Sequence, residues 1–178
     1  HMPLADRLRA EWLKSLGKRG QWVAFGSEYS PQTGEDVELA CYAIQYRRRS
    51  EGDAALKAAR PLWFTDKATP DACEPLFAAL IAKGELSVAD RVARFRLAVE
   101  AGNLRTAQAI GEELPGPERI PAAALRAVDS NPLRALDRGD FRWQQPGGRA
   151  VALYALERAA RTDAGTAHAA WIKQRVRL

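Results

Sequence analysis

The chain has 178 residues, about the size of one domain, of which 47% are hydrophobic and 28% charged. That balance can build a core and excludes a disordered chain. A net charge of +5 and a pI near 9.5 are compatible with polyanionic partners. The arginines are scattered, however, whereas a nucleic-acid domain concentrates them in one stripe, so no nucleic-acid partner is expected.

His1 and Met2 read as a tag remnant, which leaves His168 as the only other histidine. Histidine-based metal or triad chemistry therefore lacks donors, and no metal and no cofactor is expected. The longest apolar run, "LFAALIA" at 76–82, is far short of the roughly 20 residues that cross a bilayer. The opening "PLADRLRA" is compatible with a cytosolic origin or with a signal segment already removed.

Helical periodicity dominates the chain. Val37, Cys41 and Ile44 recur at i, i+4, i+7, and Leu56, Ala59 and Trp63 follow the helical period with a small change of step. So do Val88, Val92, Phe95 and Val99, then Leu104, Ala107, Ile110 and Leu114. No sustained alternation of β-branched residues occurs, so no sheet is predicted. The spacing predicts helices near 4–16, 19–26, 35–49, 53–65, 71–83, 87–101, 103–113, 118–128, 131–138, 149–162 and 165–177.

The punctuation agrees. "SEYSPQTGED" (27–36) reads as a loop, and "EGD" (51–53), "AKGE" (82–85), "AGN" (101–103) and "RGD" (138–140) place glycine where a helix wants a left-handed cap. Pro61 should kink or end its helix, and Thr69-Pro70 reads as a cap with proline in the first turn. "LPGPERIP" (114–121) and "QQPGG" (144–148) read as breakers. Short antiparallel helix pairs of this kind stack into an all-α superhelix, a solenoid. Alanines along the stripes would let helix axes approach closely. The glycine turns are unevenly spaced, which argues against a strict sequence repeat.

Cys41 falls on an apolar helix face and Cys73 in a first helical turn, one predicted helix apart. Spacing alone leaves two readings open, a bridge across helices or two small buried hydrophobes.

From Cys41 to Phe77 the chain reads "CYAIQYRRRSEGDAALKAARPLWFTDKATPDACEPLF". A Cys opens a Tyr-containing helix, an alanine-rich helix ends in "LW", and "P-x-A-C-x-x-L-F" follows a lysine-containing turn. "RFRLAVEAGN" at 94–103, Asn131-Pro132, Asp140-Phe141 and the opening "LRAEWLKSLGKRGQW" add to the pattern. From residue 4 onward this resembles the N-terminal superhelical region of the large soluble lytic murein transglycosylases of Gram-negative bacteria.

The resemblance implies a periplasmic protein acting on peptidoglycan glycan strands, cleaved with formation of 1,6-anhydromuramic acid. It implies that Cys41 and Cys73 pair. It also implies that residues 3–178 form one scaffold domain, a fragment whose lysozyme-like catalytic domain lies C-terminal to it. That domain's glutamate precedes a serine, beside a "G-L-M-Q" segment. No glutamate here precedes serine and the only methionine is Met2, so no catalytic residue is expected in this chain. The implied partners are peptidoglycan strands, the catalytic domain and other cell-wall enzymes. The alternative is a helical-repeat adaptor that binds protein segments in a groove.

Arg47, Arg48 and Arg49 form the densest basic run. It suits a helix C-terminus, where the dipole favours cations, or contacts to acidic wall polymers. Trp12, Trp22, Trp63, Trp143 and Trp171 suit core anchoring or sugar stacking, with Trp143 in "FRWQQPGG" the best candidate for exposure. Arg91, Arg94 and Arg105 read as solvated or as part of a basic concave surface. Glu112-Glu113 reads as solvated, because adjacent helical residues face apart. His168 reads as a surface or partly buried histidine.

Overall fold

A computed structural model of the chain describes residues 3–31 and 36–177, so the reading of His1 and Met2 and part of the 27–36 loop lie outside the described residues. Eleven α-helices form, with no strand among the described residues. They are α1 (Pro3–Lys18), α2 (Trp22–Glu28), α3 (Val37–Glu51), α4 (Arg60–Trp63), α5 (Glu74–Ala82), α6 (Val88–Glu100), α7 (Leu104–Glu113), α8 (Ala122–Ser130), α9 (Pro132–Arg138), α10 (Pro146–Thr162) and α11 (Ala164–Gln174). Short 3₁₀ segments occupy Gly52–Ala58, Asp71–Cys73, Gly116–Glu118 and Arg175–Arg177. No helix among the described residues is long and apolar enough to cross a membrane.

Local chemistry sets the helix ends. Asp36 caps α3 by accepting from the Leu39 amide at 2.8 Å. Asn131 does the same for α9 through the Arg134 amide at 3.0 Å, with Pro132 in the first turn. Asp163 caps α11 through Thr166. Gly52, Gly84, Gly102 and Gly139 all have positive φ; Gly139 is the left-handed cap expected, while Gly52, with ψ −147°, lies outside that region.

Four expectations change. The helix predicted over 53–65 is a 3₁₀ segment followed by the single turn α4, because Pro61 has no amide donor for a continuous α ladder. "QQPGG" starts α10 and does not break a helix. Pro146 stands at N1, where its missing N–H is not needed. Pro70 lies before its helix in extended conformation, and a 3₁₀ turn intervenes before α5. Similarly, α8 begins at Ala122, four residues later than predicted, after the Gly116–Glu118 turn.

The chain divides into two compact units. One takes in the residues up to Trp63 together with Ala68–Ser87, and the other Phe64–Lys67 together with Val88 onward. In the first unit, Leu13, Leu16, Phe25, Leu56, Leu76 and Leu80 are at most 2% exposed and form the core with Trp63 and Phe77. Burial of each such side chain is worth about 1.5–3 kcal/mol. Inside this core Cys41 and Cys73 are disulfide-bonded, with Cα atoms 5.1 Å apart. The bond ties the middle of α3 to the turn that leads into α5.

In the second unit, Phe95, Ala98, Val99, Ala107 and Ile110 of the α6–α7 pair pack with Leu125, Val128 and Leu136. Val151, Tyr154, Ala155 and Ala159 of α10 complete that core. The predicted stripes of α3 and α6 thus face inward, but their first members do not: Val37 and Val88 are exposed. Arg94 is buried, not on a basic surface, and its guanidinium donates to the Lys67 carbonyl at 3.3 Å. Burial pushes its pKa down. Asn103 donates to the Asp66 carbonyl and carboxylate at 3.1 and 2.6 Å. These two side chains hold residues 64–67 on the second unit.

Candidate functional site

In the second unit, α8, α9, residues 140–142 and the start of α10 surround a groove of about 710 Å³. That is the volume of an ordinary ligand cleft. Its floor is small and apolar. Ala123, Ala124 and Ala127 of α8 stay exposed along it, with Ala135, Gly148 and Val151 opposite. These alanines do not serve as the close helix–helix seam that alanine stripes suggested.

The groove owes its shape to one tight turn. The Gln145 amide donates to the Arg142 carbonyl at 2.9 Å, which brings that carbonyl against Gly148. A Cβ on Gly148 would collide with the carbonyl oxygen and with the Arg142 side chain, so only glycine lets α10 start here. Trp143 stabilises the same turn. Its indole donates to the Gly139 carbonyl at 3.2 Å, and its ring meets Phe141 edge-on at 5.3 Å. Trp143 is therefore half-buried, while Trp12 at 50% and Trp171 at 38% are the more exposed. The proline and two glycines hid this packing role.

Three guanidiniums border the groove. Arg138 is paired with Asp140 at 2.5 Å. Arg142 donates through Nη1 to the Pro117 and Arg119 carbonyls at 3.0 and 2.9 Å. Those partners are neutral, so its charge is oriented but not cancelled. Arg134 is exposed and has no carboxylate partner among the described residues. The Asn131 amide is also in the lining. The groove is rich in donors and has one acid.

The basic run singled out from sequence lies in the first unit, and each member has local company. Arg47 forms a two-pronged bond with Glu51 at 2.9 and 2.8 Å. This raises the Arg47 pKa and holds the Glu51 carboxyl below its usual range. Arg48 and Lys83 share Asp53 at 2.9 and 2.7 Å, and Lys83 first, then Arg48, lowers that carboxyl. Arg49 lies 5.9 Å over the Trp22 ring.

Glu112 is not simply solvated. It accepts from the Ala122 amide and from Arg119, both at 2.7 Å, and so caps α8. Those bonds, the Ala122 amide foremost, lower its pKa. Arg91 donates to the Glu113 carbonyl. His168 is exposed, and no cluster of three potential metal ligands occurs among the described residues.

No family model matches the chain. The soluble lytic murein transglycosylase of Escherichia coli strain K12 is 27% identical over 167 residues, 93% of this chain and 26% of that protein. Over that length the chain is similar to the soluble lytic murein transglycosylases. The Salmonella typhimurium relative is 28% identical over 76% of the chain and 21% of its own length. The chain thus spans about a quarter of the relatives it matches.

Solved transglycosylase structures agree. An inactive mutant of the Pseudomonas aeruginosa lytic transglycosylase superposes with a TM-score of 0.71, at 28% identity, over 97% of this chain and 28% of that one. The 70 kDa soluble lytic transglycosylase of Escherichia coli gives 0.74 at 26% identity, over 94% of this chain and 27% of that one. The 70 kDa transglycosylase in complex with bulgecin A gives 0.75. The expected fold class, an all-α superhelix, is the one these transglycosylases carry.

Proposed function

We propose that this chain is the helical scaffold region of a periplasmic lytic transglycosylase. It binds peptidoglycan and positions glycan strands for a lysozyme-like catalytic domain C-terminal to it. The observation that carries this reading is the homology over 93% of the chain with soluble lytic murein transglycosylases. The buried Cys41–Cys73 disulfide supports an oxidising compartment.

The carboxyls whose pKa is displaced do not supply the acid that catalysis would need. Glycosidic cleavage needs an acid whose pKa is raised, so that it is protonated near neutral pH. Asp36, Glu51, Asp53, Glu112 and Asp163 are all shifted the other way. Incubation with purified sacculi should therefore release no fragments ending in 1,6-anhydromuramic acid. Their appearance above a blank would place a catalytic group in this chain.

A second reading has its own observation. Leu4, Leu8 and Trp12 lie at i, i+4, i+8 on α1 and are 68%, 64% and 50% exposed. Such a stripe suits a protein partner, as in a helical-repeat adaptor. Capture of one defined periplasmic protein, abolished by Trp12→Ala and unaffected by added peptidoglycan, would favour the adaptor.

A further inference from the structure

The groove bordered by α8, α9 and α10 has a chemistry that selects among the parts of peptidoglycan. This step rests on the scaffold reading above. We propose that the groove seats the acidic peptide stem, not the sugar strand, with Arg134 and Arg142 taking two of its carboxylates.

The charges carry the argument. Of the three border arginines only Arg138 is neutralised, by Asp140. Arg142 is fixed by two backbone carbonyls, and Arg134 has no carboxylate partner among the described residues. A guanidinium left with neutral partners is a ready receptor for a carboxylate, which it can grip through two parallel N–H bonds. In peptidoglycan the muramic acid carboxyl is consumed in the amide link to the peptide, so the free carboxylates are those of the stem.

The floor agrees with the charges. Sugar sites present an open aromatic face to a pyranose ring. Here Phe141 is the only aromatic in the lining, and its ring is engaged edge-on by Trp143. Ala123, Ala124, Ala127 and Ala135 instead offer methyl groups and room. An extended peptide with alanine-sized side chains can lie against them. The Asn131 side-chain amide, also in the lining, can donate to a peptide carbonyl.

The test is a titration of isotope-labelled chain with the free tetrapeptide stem released from sacculi, followed by amide NMR. The stem should shift the Ala124, Ala127 and Gly148 amides saturably. Arg134→Gln should weaken its binding about tenfold or more, the worth of one charge-assisted bond. Ala127→Leu, which fills the floor, should abolish binding. Arg105→Gln, away from the groove, should leave binding unchanged, and circular dichroism verifies that each variant is folded.

Two results overturn the proposal. One is intact sacculi binding the chain while the free stem does not, which leaves the scaffold reading standing. The other is inorganic phosphate shifting the same amides at the same concentration, which marks a general anion site. Failure of both sacculi and stem to bind removes the scaffold reading as well.

Discussion

Cys41 and Cys73 are bonded across a sequence separation of 32 residues, and neither exposes any surface. The bond closes a loop that contains the irregular Gly52–Ala58 segment and the one-turn helix α4, elements too short to hold themselves. It lies within one compact unit, and the other unit contains no cysteine.

Reduction should therefore act on one unit only. The chain-entropy estimate for such a loop is about 3–4 kcal/mol. Cys73→Ala should lower the melting temperature of the first unit by roughly 15 °C and leave that of the second in place. Hydrogen exchange separates the two: faster exchange in α3 and α5, with unchanged rates in α6 and α10, is the expected outcome.

Gly148→Ala should destabilise the second unit, because the new methyl meets the Arg142 backbone. Overpacking of this kind costs about 1–3 kcal/mol, read as a lower urea midpoint. Gly165→Ala is the contrast. Its Cβ meets only Asp163 Oδ1 at 3.4 Å, and alanine favours the helix by up to about 1 kcal/mol, so the midpoint should hold or rise.

Acid should weaken the α1–α3 region in a defined direction. Partial burial pushes the Asp36 carboxyl up, but the Leu39 amide and the Lys14 ammonium at 2.9 Å outweigh it, so its pKa falls below 3.8. A carboxyl lowered on folding adds stability that is fully present above its unfolded pKa. That stability is lost as pH falls through the folded value. Stability should be flat from pH 7 to 5 and fall below about pH 4. Asp36→Asn keeps a capping oxygen and should flatten the acid limb, while Asp36→Ala should cost about 1 kcal/mol at pH 7.

Residues 64–67 should loosen without unfolding the second unit when their anchors are cut. Asn103→Ala removes two bonds to Asp66. The backbone amides of 64–67 should then exchange faster while those of α6 do not. Arg94→Ala reaches deeper, leaving the Lys67 carbonyl short of a donor and a hole where the buried side chain lay, and should cost about 2–4 kcal/mol.

Much of the fold was legible because helical periodicity and glycine caps are local signals. Val92, Phe95 and Val99 face inward as read, and Gly102 and Gly139 turn the chain as read. The misread helix boundaries share a cause: proline and glycine act differently by context. Pro146 and Gly148 look like breakers until the Arg142 carbonyl is seen against the helix start. The groove was not legible at all, since an alanine stripe looks the same whether it meets a helix or solvent. The Arg47–Arg49 run was visible, but its carboxylate partners lie at the very end of α3 (Glu51) and in the 3₁₀ segment that follows it (Asp53).

The scaffold reading stands most directly on co-sedimentation of the purified chain with peptidoglycan sacculi at physiological salt. The account predicts saturable pelleting that survives removal of other wall polymers from the sacculi. A chain that stays in the supernatant at every sacculus concentration, while folded and with its disulfide intact, would contradict it.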